Sequence, residues 1–140
     1  MISITSNRKV NLILAAAFSA VILGASPAGA ADPAHVLQLK KTGSCENCDL
    51  TGAKLNGINL KGANLKGAKM AGAELSDSDL RGANLKGAKL TGANLIGADL
   101  KGANLNDTAI AGSATSASIL CGTKLSGGAV SNRDCAKKTK

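Results

Sequence analysis

From Cys48 onward the large apolar residues return every five positions, at Leu50, Leu55, Leu60 and Leu65, through Met70, to Leu105 and Ile110. Two residues before each of them stands a small residue, usually Ala, with Ile58 the one oversized exception. Polar residues fill the positions between, and Gly closes each block except where Asp77 and Asp107 replace it. Thirteen such blocks run from Cys48 to Gly112 without insertion or deletion. A period of five matches neither the 3.6 of an amphipathic helix nor the 2 of a strand. It matches a solenoid in which each block makes one side and one corner, and in which stacked coils pair their backbone groups. Gly or Asp at the fifth position suits a corner with positive φ.

The number of sides follows from a longer echo. INLKGANLKGAKMAGA from Ile58 aligns with SDLRGANLKGAKLTGA from Ser78, and then with ADLKGANL from Ala98. Twenty residues therefore make one coil of four blocks. Thirteen blocks make a little over three coils, roughly 15 Å long at the ~4.8 Å spacing of stacked strands. The Leu column and the column of small residues point inward, and Ala predominates in the latter because the interior is narrow.

The repeats resemble the pentapeptide repeat family, whose pattern is A-(D/N)-L-x-x. The resemblance covers the 48–112 tract and implies an all-β, right-handed quadrilateral β-helix. Some members of that family imitate duplex DNA and protect gyrase, but those are acidic, cytoplasmic and paired through aromatic-rich ends. This chain is basic and has a single aromatic residue, Phe18, so that role is not expected.

The flanks divide the chain further. Residues 1–30 place Arg8 and Lys9 before an apolar run from Val10 to Gly24 and the small-residue stretch Ser26 to Ala30, the order of a secretory signal. Cleavage after Ala30 is expected; the other reading is a retained anchor, although the run is shorter than the ~20 residues of a spanning helix. Residues 31–47 hold a short capping helix, with Asp32 as N-cap, Pro33 in the first turn, Lys40 and Lys41 near the end and Gly43 as the stop. Two turns of helix need a surface to lie on, so Val36, Leu37 and Leu39 are expected against the first coil. His35, the lone histidine, reads as a solvated or capping residue rather than a ligand. Residues 113–140 keep Leu120, Leu125 and Val130 in phase. Ser113 to Ala117 is expected to loop, and beyond it either a degenerate coil continues or a hairpin around Gly127-Gly128 closes the end, with the cap favoured. Ala136 to Lys140 reads as a solvated tail.

Net charge narrows the functional classes. The balance is +8 from 17 basic and 9 acidic residues, and loss of Arg8, Lys9 and Phe18 with the signal would leave no aromatic side chain. That removes the stacking platforms of single-strand nucleic-acid binders, so no nucleic-acid partner is expected. The fold of four blocks per coil stacks Lys61, Arg81 and Lys101 on one face and Lys66 and Lys86 on the next, a candidate anion-binding stripe. Asp79 and Asp99 flank it and offset part of the charge. Asn64, Asn84 and Asn104 form a structural amide ladder. Thr51, Ala71, Thr91 and Ala111 form a small, flat column.

Four cysteines in an exported chain point to two disulfides. Cys45 and Cys48 precede the first coil, while Cys121 lies more than three coils away, beyond the ~7 Å Cα separation a disulfide spans. The pairs expected are therefore Cys45 with Cys48 and Cys121 with Cys135. The same distance separates the cysteines as metal ligands, and no cofactor is expected. The chain thus reads as a non-enzymatic exported scaffold or interaction module, periplasmic or extracellular, monomeric or paired end to end, with no membrane span after cleavage. Its partner is an unspecified protein or an anionic envelope lipid or polymer held by the basic stripe. The third reading is a thiol-disulfide protein using Cys45-Glu46-Asn47-Cys48.

Overall fold

A computed structural model describes residues 29–135. The expected signal segment up to residue 28, with Arg8, Lys9 and Phe18, and the tail 136–140 lie outside the described residues. One block explains the rest. Its closing glycine is left-handed, with φ from 63° to 70° between Gly52 and Gly112, and Asp77 and Asp107 adopt 56° at the same position. The next N–H folds back across the corner, as from Ala63 to the carbonyl of Leu60 at 3.0 Å. This is the geometry of a turn that demands positive φ at its third residue.

Between corners the chain is extended and pairs with the coils above and below. Leu60 donates to Asp79 O at 2.8 Å, and Asp79 donates to Ile58 O at 3.0 Å. Parallel bridges step by twenty residues along four ladders, for example Asn59 to Asp79 to Asp99 to Ile119. Four sides per coil follow from that step.

The ladders extend past both ends of the expected 48–112 tract, from Ser44 with Asn64 to Asn104 with Lys124. At the N-terminal side Gly43 to Asn47 makes a block of its own. Cys45 occupies the large apolar slot with 0% exposure, and Asn47 turns the corner at φ 57°. On the other side, Ser113 to Ala117 does not loop. Ala114 bridges Asn94, and Ala117 takes φ 56°. The cause is the backbone of the coil below: Leu95 donates to Ala114 O at 2.8 Å, and Ala114 donates to Ala93 O at 3.0 Å. Backbone pairing of this kind sustains a coil whose side chains are too small to hold it.

The interior is a filled column. From Leu50 to Leu100 the third-position residues are buried, as are the small residues between them, and Ile58 is only partly buried. Hydroxyls replace Ala in the last coil. Thr108 donates to Leu85 O and Thr123 to Leu100 O, each at 2.7 Å, and Ser113 donates to Leu90 O. These hydroxyls fasten the terminal coil to the one beneath where apolar contact runs out.

Helix α1, Pro33–Thr42, precedes the solenoid. The Asp32 side chain accepts from Ala34 N at 2.8 Å, and Gly43 closes the helix at φ 66°. Leu39 is 1% exposed within the core cluster and Val36 packs against it, but Leu37 is 52% exposed. Val36 and Leu39 lie three residues apart on one face, which turns Leu37 away to solvent. The helix also supplies hydrogen bonds to the first coil at Asp49. Asp32 donates to Asp49 O at 3.1 Å, and His35 Nδ1 accepts the Asp49 N–H at 3.1 Å. Together they supply the two partners that a lower coil would give Asp49.

At the other end, strand β1, Thr123–Lys124, pairs antiparallel with β2, Val130–Ser131. The turn between them contains Gly127 and Gly128 at φ 83° and 81°. Further coil and hairpin, the two alternatives for this region, therefore follow one another.

Two predictions follow from this backbone. Gly87 faces open space, whereas a Cβ on Gly97 would run into the Asp77 carboxylate one coil below. Gly87→Ala should cost about 1 kcal/mol for its left-handed backbone, and Gly97→Ala more. The excess should vanish in an Asp77→Gly background, as chemical denaturation of the four variants will show. His35→Ala should cost about 1 kcal/mol through the stranded Asp49 N–H and raise hydrogen exchange at that amide; unchanged exchange there would contradict the bond.

Candidate functional site

The ladders set which outward side chains share a face. Lys61, Arg81 and Lys101 each follow a bridge residue by two positions on one ladder, and Lys66 and Lys86 do so on the next. Carboxylates interrupt both columns. Arg81 grips Asp79 with Nε at 2.8 Å and Nη2 at 2.5 Å, and Asp99 approaches from the next coil at 3.8 Å. The hydrogen bond from Arg81 holds the Asp79 carboxyl below its ordinary range, and Asp79 raises Arg81 in turn. Lys66 is bound by Glu46 at 2.9 Å, and that contact lowers the Glu46 carboxyl. Lys61, Lys86 and Lys101 have no carboxylate within 4.0 Å among the described residues.

Sequence reasoning missed the second half of this surface. Lys89 lies just across the Gly87 corner from Lys86, and Lys69 lies across the Gly67 corner from Lys66. Lys69 reaches Asp49 at 4.0 Å, so Glu46 and Asp49 of the first coil answer Lys66 and Lys69 of the second. The third coil presents Lys86 and Lys89 with no acidic partner of that kind, and the fourth presents neutral Asn106 and Ala109. The signal was available in the second positions of AKMAG and AKLTG, which the stripe of fourth positions leaves out.

The other columns are structural or plain. Each of Asn64, Asn84 and Asn104 accepts the N–H two residues on, at 3.4, 3.3 and 3.1 Å. The contacts between their amides are long, 3.4 and 3.5 Å. Thr51, Ala71, Thr91 and Ala111 line a face of small side chains that are half-buried or exposed.

Cys45 and Cys48 are joined with a Cα separation of 5.3 Å, and Cys121 and Cys135 with one of 4.6 Å. The first bridge is in the core: Cys48 is 4% exposed, and the Cys45 sulfur lies 3.2 Å from His35 O. Dithiol exchange requires an accessible sulfur, which this burial denies. Among the described residues no group of three or more His, Cys, Asp or Glu is placed to hold a metal. No described helix is long and apolar enough to cross a membrane. An apolar cleft of about 220 Å³ opens at the C-terminal end between Leu105, Thr108, Ile110, Leu125 and Ser126.

The geometry agrees with what this chain is similar to. The family described as pentapeptide repeats matches residues 44–82 and 70–107, in eight copies. A pentapeptide repeat protein from Nostoc PCC 7120 is similar in structure at 27% identity and a TM-score of 0.57, over 71% of this chain and 79% of its own. A pentapeptide repeat protein of the Arabidopsis thaliana thylakoid lumen is 37% identical over 50% of this chain, with a TM-score of 0.45. The chain spans about half of that protein's length, 52%. No curated protein matches. Pentapeptide repeat proteins form right-handed β-helices, in keeping with the ladders described above. Residues 44–107, the stretch that the family model matches, build a solenoid similar to that of pentapeptide repeat proteins.

Proposed function

We propose that the protein is a non-catalytic interaction module, exported to the periplasm or cell exterior, that presents outward side chains on a rigid solenoid closed by α1 and the terminal hairpin. The filled interior carries this reading: from Leu50 to Leu100 the inward positions are occupied by packed Leu, Met, Ala and Ser, with Ile58 partly buried among them, so chemistry is confined to the faces. Two disulfides suit an oxidising compartment. The immobilised full chain should capture a protein partner from envelope extract at low and moderate salt. Substitution of outward residues such as Thr51 and Thr91 should weaken capture without lowering stability. Insulin-reducing turnover that disappears in Cys48→Ser would overturn the non-catalytic reading.

A second reading rests on the unanswered lysines: the corner formed by Lys86 and Lys89, with Lys61 and Lys101 on the adjoining faces, meets an anionic lipid or polymer surface. Each exposed lysine near such a surface contributes about 1 kcal/mol, or roughly fivefold in affinity. The full chain should co-sediment with phosphatidylglycerol-containing vesicles at low salt and lose retention as salt rises. Lys86→Gln with Lys89→Gln should weaken binding strongly, and Arg81→Gln much less, because Asp79 already neutralises Arg81. Equal losses in both variants, or no retention at low salt, would refute the corner as the contact.

A further inference from the structure

The two disulfides are placed for different fates. Cys45 and Cys48 lie within the same buried cluster as Leu39 and Leu50. Cys121 and Cys135 join the last coil to the end of the hairpin, where Cys121 is half-buried and Cys135 is exposed. Up to Leu125 the chain belongs to the last coil, with Thr123 buried and Lys124 bridged to Asn104; beyond it the hairpin is lightly held. Strands β1 and β2 are two residues long, and Gly122 to Ser131 O and Leu125 to Ala129 O, both 2.7 Å, tie their ends. Every residue from Ser126 to Val130 is exposed, and Val130 keeps 53% of its surface in solvent. Segments with exposed backbone bonds and little buried apolar surface open at low local cost. The disulfide, whose cysteines stand 14 positions apart in sequence, is the covalent restraint on that opening.

We propose that Cys121–Cys135 is a reducible latch: a dithiol reductant opens it in the folded protein and frees the hairpin's outer arm, residues 126–135, while Cys45–Cys48 remains closed. A thiolate of the reductant attacks the sulfur of Cys135, the more exposed of the two residues, breaking the S–S bond, forming a mixed disulfide and releasing Cys121 as a thiolate that takes up a proton. The reductant's second thiol then displaces Cys135. Two electrons and two protons pass to the pair, which becomes two thiols, and the reductant leaves as its own disulfide.

Opening changes the end of the solenoid. Leu125 forms one wall of the apolar cleft whose other walls are Leu105 and Ile110. In the latched state Leu105 is 3% exposed and Ile110 37%. Thr123 and Lys124 keep Leu125 on the solenoid, but departure of the outer arm takes Ser126 from the rim of that cleft and Ala129 from the Leu125 N–H, so the cleft over Leu105, Ile110 and Leu125 widens under redox control.

The test treats the full-length oxidised protein with rising dithiothreitol, then traps thiols with iodoacetamide and maps them by peptide mass spectrometry. Cys121 and Cys135 should each gain one carbamidomethyl group at reductant concentrations that leave Cys45 and Cys48 unmodified. Hydrogen exchange under those conditions should show loss of protection at Gly122 and Leu125, with Leu60 to Leu85 unchanged. Cys135→Ser, which removes no buried side chain, should show the same loss without reductant. Modification of all four cysteines together, earlier modification of Cys45 and Cys48, or alkylation of Cys121 and Cys135 with Gly122 and Leu125 still protected would each overturn the latch. So would retained protection in folded Cys135→Ser; if that variant does not fold, the reductant experiment decides alone.

Discussion

The width of the interior governs this structure. A chain that turns a left-handed corner every five residues encloses a square bore just large enough for one Leu and one small residue per side. Ile58, beta-branched and bulky, stands at a position that Ala fills elsewhere, and it sits only partly buried in the first coil. The same narrowness makes the backbone decisive. With side chains of modest size inside, register rests on the hydrogen bonds between coils, and those bonds hold even the small-residue block from Ser113 to Ala117.

That division explains what the sequence made legible. The Leu phase and the twenty-residue echo carry direct side-chain signatures, so the solenoid, its four sides and its inward columns could be read from residues alone. The boundaries could not. Cys45 stands in a Leu slot without looking like Leu, and Ser113 to Ala117 is held by Leu95 and Ala93 backbone groups rather than by its own side chains. His35 offers a plainer case. Its acceptor role depends on how α1 lies across the first coil, and nothing in the order of residues from Asp32 to Asp49 records that angle.

The surface was half legible for a related reason. Lys61, Arg81, Lys101, Lys66 and Lys86 fall on the expected faces, but charge on a solenoid is decided between coils. Glu46 cancels Lys66 from twenty residues away, and Asp99 adds to Asp79 around Arg81. Glu46 and Asp49 of the first coil shield Lys66 and Lys69 of the second, leaving the third as the most positive layer. Reading every outward column at the twenty-residue step, second positions included, brings Lys89 to the same corner as Lys86.

The four-block coil has a geometric consequence for how such a chain changes by insertion or loss of repeats. One block added or removed turns everything beyond it by a quarter of a revolution, so that the C-terminal hairpin would project over a different side from α1. Four blocks restore the original angle and alter only the height, by one ~4.8 Å rung. Repeat number thus works as a dial as well as a ruler: it sets the bearing of one end against the other, and with it which faces and which end look in the same direction.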